Sequence, residues 1–252
     1  MPTEAEWAEK ISTAMANRPV PVVAQTYLGE WSTFSKPVKI SCNDSRIYVV
    51  KGPQIGRAIV NEHVVGSLGQ ALDAPVGKIA LVQVSAELIT VEPKLGHIRP
   101  GLAHGTVFVQ DCSERLGLDH TVVPENRERF SRLCILYSWM GASDHQFVYE
   151  KSQPNRVYSV DHGHFFGQNW TEGTLVATPP PQLDPVFQAC SLTPVELKEA
   201  TIRLEQITDD DIARAVGGPP DDWGASMQER IAMANYLWDR KNQLVQTLSA
   251  TA

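Results

Sequence analysis

Ile47-Tyr48-Val49-Val50-Lys51 is an apolar run that ends on a cation, and Val60-Asn61-Glu62-His63-Val64-Val65 follows in the next periodic segment. The β-branched and aromatic residues predict a strand ending at Lys51. Ile55, Ile59, Val65 and Leu68 share one face and predict a helix from about Gln54 to Leu72, stopped by Asp73 and Pro75. A strand-end lysine can point into a cleft instead of bulk water, and a glutamate on the following helix can pair with it there. Such a pair keeps the ammonium charged and aimed, which suits an anionic ligand. Taken alone, Lys51 reads as a solvated strand end and Glu62 as a surface helix residue.

Working outward, VPVVAQTYL (residues 20–28) and PVKISC (37–42) also read as strands. Asn43-Asp44-Ser45 turns the second into a hairpin with the Lys51 strand. Gly29 to Ser35 link the first two strands, and residues 5–16 read as a short helix or a loose arm. Downstream, KIALVQV, ELITVE and HGTVFVQ form a second predicted β block. The texture changes at Glu125. A helix is predicted over 127–141, with Phe130, Leu133, Cys134, Tyr137 and Met140 inward. Two short strands, Phe147–Tyr149 and Val157–Val160, flank Gln153-Pro154-Asn155, and ATPPPQLDP reads as a proline-rich surface loop. The last third is helical, with capping boxes at Thr193/Glu196 and Ser226/Glu229. Trp139, Trp170, Trp223 and Trp238 are assigned to the core of this part. The fold class is α+β: an arm or short helix over 1–19, a strand-rich lobe over 20–112 and a helical lobe over 113–252. Strands and helices do not alternate, which argues against a doubly wound sheet.

The chain has 252 residues, 42% hydrophobic and 20% charged, enough for two small lobes around a cleft. Its net charge of −7 makes it a poor general partner for nucleic acid. Cys42, Cys112, Cys134 and Cys190 are isolated and read as free thiols, without a zinc or disulfide pattern. The acidic N-terminal residues lack the apolar core of a signal peptide, and no apolar run reaches the ~18 residues of a membrane span. A cytoplasmic protein without membrane attachment is expected.

Asp161 follows the apolar VYSV and precedes His162-Gly163, which places a carboxylate on a tight turn, as a metal ligand requires. An ordinary turn aspartate is the bland alternative. Asp144, in GASDHQ, lies just after the predicted helix, and the hairpin between the two acids can bring them to one cleft. One would bind a metal and the other would orient or deprotonate a hydroxyl. His162 and His164 form an HxH that, with His145, is a rival transition-metal reading.

The combination is more specific than its parts. Strand Lys, helix Glu, β block, helix, Asp, hairpin and Asp-x-Gly is the linear order of the protein-kinase superfold. IYVVK, NEHVVGSLGQALDAPV, GLAHGTVFV, WMGASDHQFVY and YSVDHGHFF, with DDDIARAVGGPPDDWG and LWDRKNQL near the end, resemble the HipA-like kinase family over roughly residues 20–248. The resemblance implies a bilobal kinase-like fold that uses ATP and Mg²⁺. Lys51 would contact the nucleotide phosphates and Glu62 would orient it. Asp144 would be the catalytic-loop Asp and Asp161 the Mg²⁺ ligand. Gly29 to Ser35, including Ser32, would cover the phosphates, and Val107, Phe108 and Val109 would belong to the hinge that meets adenine. Two departures stand out. The loop at Asp144-His145-Gln146 is about three residues shorter than the family's, with Gln146 in the place of a metal-binding Asn, and Gly29–Ser35 holds a single glycine. Ser32, Thr33 and Ser35 there are candidate phosphate donors or autophosphorylation sites.

The expected activity is ATP- and Mg²⁺-dependent phosphotransfer to a protein Ser or Thr. Alternatives are a pseudokinase or nucleotide-binding interaction module, and a small-molecule or lipid-headgroup kinase. The expected partners are a protein substrate and a small regulatory protein.

Overall fold

The computed structural model describes residues 1–113, 117–167 and 169–250. A 13-residue helix, α1 (Glu4–Ala16), opens the chain, started by the capping box of Thr3 and Glu6. The strands β1 (Val22–Glu30), β2 (Val38–Cys42) and β3 (Ile47–Lys51) follow, and the predicted hairpin forms with Ser41 opposite Ile47. Asp44 secures its turn by accepting hydrogen bonds from Arg46 N and Tyr48 Oη.

The next helix, α2 (Ala58–Ala71), is shorter than expected. Pro53–Ile55 form a separate 3₁₀ turn, and Gly56 takes a left-handed φ of 62° that only glycine adopts cheaply. Nor is α2 amphipathic. Ten of its residues, including Asn61, Glu62 and His63, are buried, because it is wedged between the barrel and the helical lobe.

The second β block is corrected at one place. β4 (Ile79–Val84) and β5 (Gly101–Val107) are strands, but ELITVE forms the helix α3 (Ala86–Val91), begun by Ser85 accepting from Leu88 N at 3.1 Å. The five strands close into a barrel in the order β1-β2-β3-β5-β4, with β1 and β4 parallel and the other pairs antiparallel. Val38, Ile40, Tyr48, Val50, Val82 and Ala103 fill its interior.

β6 (Cys112–Ser113) leads to α4 (Pro124–Met140), which starts three residues before the predicted position with proline in its first turn, and ends at Gly141 in the left-handed region. β7 (Gln146–Glu150) and β8 (Val157–Val160) pair antiparallel and join β6 in a small sheet. The chain finishes with α5 (Glu172–Val176), α6 (Val186–Ala189), α7 (Pro194–Gln206), α8 (Asp209–Gly217) and α9 (Met227–Ser249). Both predicted capping boxes are present. α1 is docked, with Trp7 and Ile11 fully buried and Trp7 Nε1 donating to Asn235 Oδ1 of α9 at 2.8 Å. Trp139, Trp170 and Trp223 are buried, and Trp238 packs against the same larger core. α2 contributes Ile59, Val60, Val64, Val65 and Leu68 to that core. Among the described residues no helix is long and apolar enough to cross a membrane.

Candidate active site

Alternation along β3 turns Val50 into the barrel and Lys51 out of it. Outside, the Lys51 ammonium meets two carboxylates: Glu62 of α2, to which it donates a hydrogen bond, and Asp161 Oδ1 at 2.7 Å. Lys51 and Glu62 are almost fully buried, and the Asp161 side chain is 27% exposed. Burial works to drive the proton off Lys51, but Glu62 and Asp161 outweigh it and hold the ammonium above its ordinary range. Burial likewise works to protonate Glu62, and the charges of Lys51 and His162, with their hydrogen bonds, keep it below the ordinary carboxylate value. The pair sits where sequence reading treats each partner by default as solvated, because the wedged helix excludes water from both.

Asp161 stands at the end of β8 with φ of 60°, an uncommon conformation for a residue with a side chain. The turn is held from α2. Glu62 Oε2 accepts the His162 N–H at 3.1 Å, and Asn61 Nδ2 donates to the carbonyls of Gly163 at 2.8 Å and Phe165 at 3.0 Å. Gly163 permits the approach, since a Cβ there would lie 3.1 Å from the Ala58 Cβ. The His162 ring is bonded to Ser159 Oγ at 2.8 Å, which in turn accepts from Tyr137 Oη at 2.6 Å.

Asp144 lies in the short link between α4 and β7. Gln146 pairs with Val160, so the two acids share one end of the β7–β8 hairpin. The Gln146 amide donates to Asp144 Oδ2 at 2.8 Å. His145 turns away to Asp184 Oδ2 at 2.9 Å. The histidines therefore do not converge, and among the described residues no group of three His, Cys, Asp or Glu is arranged to hold a metal by itself. A site completed by ligand oxygens has different needs: Mg²⁺ takes one or two carboxylates and fills its shell with water and phosphate. Asp161 and the amide oxygen of Gln146 are hard oxygen donors that fit it.

The pairings Glu30–Val38 and Val38–Val50 set the Gly29–Ser35 segment at the Lys51 end of the barrel. Ser32 and Thr33 there are exposed. At the expected hinge, the amides of Val107 and Phe108 are already spent on Lys78 O at 2.7 Å and Ile47 O at 2.8 Å. Two residues that sequence reasoning missed stand against the Phe108 ring: Lys39 Nζ at 3.8 Å and the Trp31 ring at 6.2 Å. Asp184 was missed as well. Most of its proline-rich loop is exposed, as expected, but Asp184 itself is buried. The open grooves between α5 and α9 and between α1 and α8 include none of the predicted site residues.

A small barrel joined to a helical lobe, with a buried Lys–Glu pair from one reaching an aspartate turn on the other, defines the protein-kinase-like class. The "proinflammatory kinase CtkA" of Helicobacter pylori has this fold: its crystal structure superposes with a TM-score of 0.60 at 11% identity, covering 90% of this chain and 94% of that one. A crystal structure of the Golgi casein kinase with Mn and ADP bound gives a TM-score of 0.46 at 11% identity, covering 97% of this chain and 77% of that one. No curated protein matches the sequence. The family model described as HipA-like kinase matches residues 31–252, and the chain belongs to that family.

Proposed function

We propose that this kinase transfers the γ-phosphoryl group of ATP, with Mg²⁺, to a serine or threonine hydroxyl of a protein in the cytoplasm. The observation that carries the reading is the Lys51 ammonium bridging Glu62 and Asp161 between the lobes. Glu62 keeps Lys51 charged and directed, so that it can hold the nucleotide phosphates. Asp161 and the Gln146 amide oxygen would hold the metal ion, which supplies charge neutralisation along the triphosphate. Asp144 would receive the proton of the attacking hydroxyl, and its Oδ2 is steadied for that by Gln146. With the Val107 and Phe108 amides occupied, adenine contacts fall to the Phe108 carbonyl and the Val109 N–H. Ser32 and its neighbours would close over the phosphates. The partners in this reading are a protein substrate and a small regulatory protein.

The same Gln146–Asp144 contact favours a second reading, a nucleotide-binding module without transfer, because it occupies one oxygen of the carboxylate that would take the proton. Labelled ATP with Mg²⁺, followed both by transfer to the chain or a casein-like acceptor and by thermal shift, separates the two. Asp161→Ala should abolish transfer while the protein stays folded; turnover like the wild type from that variant would overturn the metal assignment. Binding without transfer in the wild type supports the module.

A further inference from the structure

The proline-rich run between α5 and α6 carries an acid with no part in the proposed chemistry. Asp184 is 6% exposed, and a carboxylate stays in such a place only with its oxygens satisfied. Its Oδ2 is bonded to His145 Nε2 at 2.9 Å, and its Oδ1 accepts the Val186 N–H at 2.9 Å. Its own N–H donates to Ser138 Oγ at 2.9 Å, and Ser138 lies in the last turns of α4. The far end of the run is stapled to the same helix: Arg240 donates to the carbonyls of Pro179, Trp139 and Ser138. The run is therefore a strap fixed at both ends across the C-terminal end of α4.

What the strap holds is His145, between Asp144 and Gln146. Residues 142–145 belong to no helix or strand, so regular backbone does not set the direction of the Asp144 carboxylate. The His145 ring is set edge-on to Tyr137 at 4.8 Å, and its hydrogen-bond partner is Asp184. We propose that Asp184 is a positioning residue, which fixes the Asp144–Gln146 segment through His145 and so aims the Asp144 carboxylate at the acceptor hydroxyl. The proposal rests on Asp144 being the acid that handles that hydroxyl. A displacement of about 1 Å in such a group costs on the order of 100-fold in rate.

The test compares Asp184→Leu, Asp184→Asn and His145→Ala, alone and combined. Asp184→Leu should lower kcat about 10- to 100-fold with KM for ATP unchanged. Asp184→Asn should retain most of the activity, because the neutral imidazole can take its other tautomer and accept at Nε2 from the amide, while the amide oxygen accepts from Val186. In the His145→Ala background, Asp184→Leu should add little further loss. An equal change in KM, or a full additional loss in that background, would reduce Asp184 to a packing residue. Hydrogen exchange of residues 142–146 reads the anchor without reference to activity. Faster exchange there in Asp184→Leu, but not in Asp184→Asn, supports the strap even if the wild type transfers no phosphate; unchanged exchange overturns it.

Discussion

Lys51 is an ammonium withdrawn from water, tolerable only because two carboxylates reach it. Lys51→Met leaves Glu62 buried without its cation. The variant should lose about 3–5 kcal/mol of stability, read from urea unfolding, along with phosphotransfer. The pH dependence has a definite sign. Glu62, held below its ordinary 4.5, contributes stability that is complete above that pH and is lost as pH falls through the depressed value. Lys51, held above its ordinary 10.5, contributes stability that is complete below that pH and is lost as pH rises through the raised value. The wild-type profile should therefore be flat from these two groups between those limits, and the alkaline fall due to Lys51 should be missing in Lys51→Met. Lys51, Glu62, Asp144 and Asp161 were legible because each sits at a strand end, on a helix or in a turn that the local pattern defines. Asp184, Ser159 and Tyr137 were not, because their work depends on partners that only the tertiary fold supplies, as with His145 and Asp184, 39 positions apart.

At the scale of elements, local chemistry that closes within four residues was readable. The cap of α7 is an instance: Thr193 and Glu196 satisfy each other's backbone, and Arg127 of α4 reaches Glu196 with two nitrogens. Arg127 foremost, with Thr193, pulls the Glu196 carboxyl down to about 2. Its contribution is whole above the ordinary 4.5 and is lost as pH falls from there through about 2. Glu196→Ala should cost about 1 kcal/mol at neutral pH, and the difference from wild type should shrink in urea titrations approaching pH 2. ELITVE went the other way. Its β-branched residues predict a strand, yet Ser85 caps a helix there, and Leu88 and Ile89 pack against the barrel core. Contacts beyond the segment outweighed its intrinsic preference. α2 is found but with other limits, since a helix buried over most of its surface loses the polar face by which its period and limits are read.

For the whole molecule, the order of lobes was readable from the change of texture near Glu125, and the docking of the first helix was not. The place of α1 is set by α8 and α9, with Lys10 paired to Asp209 and Asp210 and Trp7 sealed against the last helix. Trp7→Ala should cost about 3–5 kcal/mol, measured as a shift in the unfolding midpoint, with the kinase cleft intact under conditions where the variant remains folded. The contact between Trp7 and Asn235 spans 228 positions. During synthesis at about 5–20 residues per second, the indole therefore leaves the ribosome roughly ten to fifty seconds before its seat exists. Throughout that interval a greasy helix face is available to chaperones or to neighbouring nascent chains. Moving residues 1–19 behind α9 by circular permutation would shorten the wait and should raise the yield of folded protein at high expression rates.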